Sequence, residues 1–131
     1  MKKRKNYREQ GLRLERKVVN DLKKVVLDLD FKTSRAESKN LDNRGIDIYV
    51  SDTQKFPYEI QCKKKLLKTK TKSISIDPLL RLTENQRVLI TQLTNQKETN
   101  ESTIGIFVTL DYNLWLKLIE EIYAFRRGDK K

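Results

Sequence analysis

Two short stretches of alternating character, set close together, constrain this chain more than any other feature. Ile46, Ile48 and Val50 alternate with Asp47 and Tyr49, and a little further on Tyr58, Ile60 and Cys62 alternate with Glu59, Gln61 and Lys63. Side chains of a strand point to opposite faces with period two. Each stretch therefore reads as a strand with one apolar and one polar face. The segment between them, Ser51 to Pro57, is polar and carries a proline, which suits a hairpin loop. Pairing the two strands brings Asp47 beside Gln61 and Lys63. An acid, an amide oxygen and an ammonium on one face form a candidate divalent-metal site, because hard cations such as magnesium take oxygen ligands. The lysine could orient or activate a water, or stabilise charge on a phosphate. The plainer alternative is a solvated outer face of an amphipathic hairpin. Cys62 faces away from Lys63, so it reads as a small core residue rather than a nucleophile.

Upstream, apolar residues predict a helix over about Gly11 to Leu29, with Leu12, Val19, Leu22, Val26 and Leu29 on one stripe. Glu15 falls on that stripe. A carboxylate there is costly unless it is solvated, paired or metal-bound. The ordinary reading is a first-turn glutamate favoured by the helix dipole. Asp30-Phe31 ends the helix, and Thr33 to Arg44 reads as a polar loop carrying Ser34, Arg35, Ser38, Lys39 and Arg44.

Downstream, Lys64 to Lys72 is a lysine run, read as an arm or as the end of the second strand. Ser73 to Ile76 alternates and could add a short third strand. Thr83-Glu84-Asn85-Gln86 has capping-box form and predicts a short helix to about Gln96. Ile104 to Leu110 is an apolar run that suits a central buried strand. Asp111 is a good N-cap for a last helix, whose stripe is Leu114, Trp115, Leu118, Ile119, Ile122 and Phe125. Trp115 reads as core packing, with a dimer contact as the sharper alternative. The order helix, two or three strands, helix, strand, helix suits an α/β sandwich with a small mixed sheet.

Asp47 followed by Gln61-Cys62-Lys63 resembles the active-site signature of the PD-(D/E)XK nuclease superfamily. Ile46 stands where that pattern has proline, and Gln61 stands at the second acid, as in the Gln-x-Lys form of Mrr-like restriction nucleases. Gly11 to Val19 resembles the first helix of archaeal-type Holliday junction resolvases, which opens with glycine and places a metal-site glutamate four residues later. Phe31 to Ser38 is similar to the element that follows. The resemblance covers roughly residues 8 to 65. It implies a restriction-endonuclease-like α-β-β-(β)-α-β-α sandwich and a homodimeric, Mg2+-dependent endonuclease (Mn2+ substituting) acting on four-way junctions or other branched DNA. It also implies the site: Glu15, Asp47 and Gln61 with the Cys62 backbone carbonyl as metal ligands, Glu59 as a displaced carboxylate, Lys63 at the attacking water, and Ser38 or Ser34 from the loop. Two rivals stand beside it: an Mrr-like or other phage or restriction-type endonuclease on duplex DNA, and a non-catalytic DNA-binding protein on a nuclease fold, which the departure at Gln61 leaves open.

The charge map points the same way. The chain of 131 residues carries a net charge of +11. Residues 1–17 contribute +6, residues 63–72 another +6, and residues 126–131 a further +3, so the remainder is net acidic. Clustered cations are the footprint of a phosphate-backbone binder. The candidate DNA contacts are Lys3, Arg4, Lys5, Arg8, Arg35, Lys39, Arg44, Lys64, Lys65, Lys68, Lys70, Arg81 and Arg87. The length suits one domain, residues 1–131, with basic tails at 1–8 and 126–131. No apolar run is long enough for a membrane span, and the basic start lacks the apolar core of a signal peptide. With one cysteine and no histidine, neither an internal disulfide nor a zinc site is expected. A cytoplasmic setting follows, the host cytoplasm if the chain is phage-encoded.

Overall fold

A computed structural model of the chain describes residues 7–67, 72–96 and 101–128. The first helix, α1 (Tyr7–Val25), begins earlier and ends sooner than the periodicity predicts. Its buried face carries Leu14, Val18 and Val19, and it packs on β1 (Phe31–Thr33) and β3 (Glu59–Leu67). Phe31, Ile48, Val50, Ile60 and Cys62 complete this core. Burying each large aliphatic side chain here is worth about 1.5–3 kcal/mol. Phe31, Phe56 and Tyr58 close its rim edge to face, with ring centroids 5.1 and 5.0 Å apart.

The segment read as a loop is largely ordered into elements. After β1 it holds α2 (Ser34–Glu37) and α3 (Lys39–Asn43), ahead of β2 (Ile48–Val50). β2 pairs antiparallel with β1, Phe31 opposite Val50. The two diagnostic stretches are thus strands, but they do not form the simple hairpin that the sequence suggests. β3 instead pairs in parallel with β4 (Arg87–Gln96) over nine register positions, and β4 pairs antiparallel with β5 (Glu101–Leu110). The outcome is a mixed three-stranded sheet β3-β4-β5 and a two-stranded sheet β1-β2. β4 takes one edge of β3 over nine register positions, and on the other edge Asp47 contacts β3 before the chain enters β2.

The helix predicted over Thr83 to Gln96 is not formed; from Arg87 onward the segment is β4. Val88, Ile90, Thr91 and Thr94 are β-branched, which costs rotamer freedom in a helix and fits a pleated surface. The capping-box residues build a turn instead. The Gln86 N–H donates to the Thr83 carbonyl at 3.1 Å, and Asn85 sits in the left-handed region at φ 65°, which asparagine tolerates. Ser73 to Ile76 is irregular chain rather than a third strand. Ile104 to Leu110 lies in β5 as predicted, but at the sheet edge rather than its centre, with Ile106, Phe107 and Val108 exposed.

Val88 and Ile90 of β4 pack toward α1, so Leu89 and Leu93 face the other way. Both are buried, as are Leu67, Leu79 and Leu82, with Leu79 in a short 3₁₀ turn (Leu79–Arg81) that contacts β4. The last helix, α4 (Tyr112–Arg126), starts after Asp111 as expected, but the Asp111 side chain makes no cap bond. It holds Arg87 bidentately at 2.8 and 2.9 Å. Leu114 alone of α4 is buried. Trp115 is half exposed, so the core-packing role expected of it is not met. No described helix is long and apolar enough to cross a membrane.

Candidate active site

The site is built where β2 and β3 part. The Asp47 N–H donates to the Ile60 carbonyl at 2.8 Å, and the Cys62 N–H donates to Asp47 Oδ2 at 2.8 Å. One residue thus occupies two successive rungs on the free edge of β3, the second through its side chain. A carboxylate standing in for a strand carbonyl lets the chain leave β3 and continue into β2 without orphaning a buried N–H. The Asp47 carbonyl in turn accepts from the Ser34 N–H at 2.9 Å. Asp47 is buried, and burial raises its carboxyl above the usual range. The Cys62 N–H and the charge of Lys63 oppose that rise.

Glu15 reaches the same place from α1. It is the ninth residue of the helix, well beyond the first turn, so the helix dipole does not account for it. Its side chain is only 2% exposed. Desolvation, then the neighbouring negative charge of Asp47, push its carboxyl up to about 7. Arg35 pulls the other way without reversing the rise: Nη2 lies 3.5 Å from Oε1 and Nε 3.4 Å from Oε2. Oε2 makes no hydrogen bond despite its burial. The charge of one buried carboxylate, Asp47, thus raises the proton affinity of the other, Glu15.

Gln61 lies between the two β3 residues that bind Asp47. It is buried, and its Oε1 has no hydrogen-bond partner. Gly45 lies beside it. Its φ of +81° is left-handed, and a Cβ there would stand 3.6 Å from Gln61 Nε2. Lys63 is exposed, with its charge within reach of Asp47. Cys62 is a free, buried thiol in the core, and burial raises its pKa far above the ordinary value. It meets Asp47 through its N–H, and a thiolate nucleophile is not available there.

Other expected residues are engaged differently. Glu59 accepts from the Thr83 N–H at 2.7 Å and the Thr83 hydroxyl at 2.9 Å, with Arg44 Nη2 3.5 Å away. Ser38 caps α3, its hydroxyl accepting from the Leu41 N–H at 3.3 Å. Ser34 is fully buried with its hydroxyl unpartnered. Of the candidate DNA contacts, Lys3, Arg4, Lys5, Lys68 and Lys70 lie outside the described residues, and the side chain of Arg8 is likewise not described. Lys39 and Arg81 are exposed, Lys64 and Lys65 are half-buried, and Lys65 donates to the Ser73 hydroxyl. Arg87 is committed to Asp111, and Arg35 faces Glu15.

Sequence reasoning missed two residues of this cluster. Arg35, read as a DNA contact, is the cation beside Glu15, and Asp42 adds negative charge that raises both Glu15 and Asp47. Both sit in a short-helix segment without periodicity, so no spacing could have flagged them.

Among the described residues no group of three or more His, Cys, Asp or Glu side chains is arranged to hold a metal ion. The donor set at the fork is mixed: two carboxylates and an amide oxygen. The buried oxygens without hydrogen bonds, Glu15 Oε2 and Gln61 Oε1, are hard donors that fit Mg2+ or Mn2+ rather than a soft metal. No family model, curated protein or solved structure matches this chain.

Proposed function

We propose that the chain is a metal-dependent endonuclease that hydrolyses phosphodiesters of DNA, with branched DNA such as a four-way junction as its substrate. One observation carries the reading: Glu15 and Asp47 bury carboxylates close enough to interact, and Gln61, between the two β3 residues that bind Asp47, buries an amide oxygen without a partner. Such burial is costly for a purely structural role. Glu15, Asp47 and Gln61 would hold Mg2+, with the Cys62 backbone carbonyl as a further oxygen. A bound Mg2+ supplies Lewis-acid stabilisation of the phosphate and lowers the pKa of a water. Asp47 is held in place by the Cys62 N–H; burial raises its proton affinity, and that hydrogen bond and the charge of Lys63 work against the rise. Lys63 stands exposed beside it, free to orient a water and to offset charge developing on the phosphate. Burial keeps bulk water from competing at Glu15. The concentration of lysine in residues 63–72 and the net charge of +11 supply the attraction for a polyanion.

The second reading is a DNA-binding protein without catalysis. It is favoured by the absence, among the described residues, of a three-carboxylate metal group. The test is cleavage of a labelled four-way junction and of a matched linear duplex, with Mg2+ or EDTA, by wild type and Asp47→Asn. Metal-dependent, symmetric cuts confined to the junction and lost in the variant support the resolvase-like reading. Cutting of both substrates moves the assignment to a duplex endonuclease of the restriction type. Tight binding without cutting under any metal leaves the binder.

A further inference from the structure

α4 presents an apolar face that stands exposed among the described residues. Tyr112, Trp115, Leu116, Ile119, Ile122 and Tyr123 are 69, 47, 42, 42, 47 and 62% exposed. They recur at spacings of three and four, so they form one stripe along the helix. The buried Leu114 lies off this stripe, on the side turned to the protein. The periodicity expected to pack α4 onto the core is therefore only half used.

We infer that this stripe is the contact surface for a second copy of the chain, with the two α4 helices packed antiparallel across a two-fold axis at Ile119. This inference stands on the exposed face and does not rest on the nuclease reading. Three observations favour a second copy over another partner. First, the stripe is nearly symmetric about the middle of α4. Ile119 is its centre, Leu116 and Ile122 lie three residues to either side, Trp115 and Tyr123 four, and Tyr112 and Arg126 seven. An antiparallel pair sets each of these opposite its mate, as an isologous interface requires. Second, charge permits it. Copies of a chain carrying +11 repel, but α4 holds Lys117 and Arg126 against Glu120 and Glu121, and so has no net charge. Third, the area is of the right order. At ~150–250 Å² per aromatic side chain and somewhat less per aliphatic, the exposed fractions amount to roughly 500–600 Å² per copy. That is the upper end of what a monomer leaves bare, and most of the ~800 Å² each partner gives to a standard interface. The stack of Tyr112 on Trp115, 6.0 Å between centroids, already orders one end of the stripe.

The register is testable without disturbing the fold. At the ~8–10 Å axial separation of packed helices, a residue on the dyad meets its own copy within disulfide range. Ile119→Cys should therefore oxidise to a covalent dimer. Lys117→Cys, on the far side of α4, should not, and the native Cys62 is buried and stays silent. In sedimentation velocity the wild type should run as a dimer, with the emission of Trp115, the sole tryptophan, shifting to the blue as concentration rises. Ile119→Glu should weaken association by roughly 100-fold or more, because two carboxylates would meet on the axis, with the far-UV circular dichroism unchanged. A wild type that is monomeric at every concentration overturns the inference. So does a dimer that survives Ile119→Glu and forms no Ile119→Cys crosslink, since another face would then be responsible.

Discussion

Replacing Glu15 by glutamine tests the electrostatics of the site independently of any activity. The Glu15 carboxyl has its pKa raised from 4.5 to about 7 by desolvation and the charge of Asp47. As pH rises from 4.5, the unfolded chain gives up this proton first, while the folded protein holds it until about pH 7. The folded state binds more protons in that window, so stability falls across it and is level above. A rise of this size corresponds to about 3 kcal/mol. Glutamine keeps the shape and hydrogen-bonding capacity but never ionises. Glu15→Gln should match wild type near pH 4.5 and become more stable by on the order of 2–3 kcal/mol above pH 7, or roughly 10 °C in melting temperature. Urea unfolding of both proteins at pH 5 and pH 8 in EDTA measures this directly. Adding Mg2+ at pH 8 should then reverse the order, because wild type gains stability by linkage and the glutamine variant gains little. A variant less stable than wild type at pH 8, or a difference that does not grow between the two pH values, would refute the reasoning. The pull of Arg35 on Glu15 would then outweigh desolvation and the charge of Asp47.

Four further substitutions separate the chemistry from the scaffold. Asp47→Asn leaves an oxygen to accept from the Cys62 N–H and should keep the fold by circular dichroism while abolishing metal-dependent cleavage; Asp47→Ala should cost about 1–3 kcal/mol in urea unfolding by orphaning that buried donor. Glu59→Gln should leave Mg2+ affinity in calorimetry nearly unchanged if its work is to bind Thr83; a tenfold or greater loss would make it a ligand after all. Gly45→Ala should destabilise by about 1–2 kcal/mol from left-handed backbone strain alone, since its Cβ would meet Gln61 only at ordinary contact distance.

Much of the first half of the molecule was legible in the sequence. Period-two alternation marked β2 and β3, and helical periodicity marked α1, because burial of one face is imposed on each element locally. The same periodicity put Glu15 on the inward side of α1, and it is buried there. Where local signals competed, they misled. Thr83 to Gln86 has the form of a helix cap, yet the β-branched residues that follow find a parallel partner in β3 and an antiparallel one in β5, and those pairings decide the outcome. Trp115 and its stripe have the spacing of core residues, and spacing alone cannot say whether a helix has a face to pack against.

What the sequence determined by itself was the set of elements with strong local patterns and the chemistry they carry: an acid before one strand, an amide and a lysine on the next, and an excess of cations. Tertiary structure decided what those groups face. Only the fold brings Glu15 and Arg35 together from positions twenty residues apart and sets both beside Asp47. Only the fork between β2 and β3 turns the Asp47 side chain into a rung of the ladder. Proton affinity, burial and strand pairing depend on neighbours brought close by the chain's return. Those neighbours are contributed by distant segments, and no local pattern encodes them.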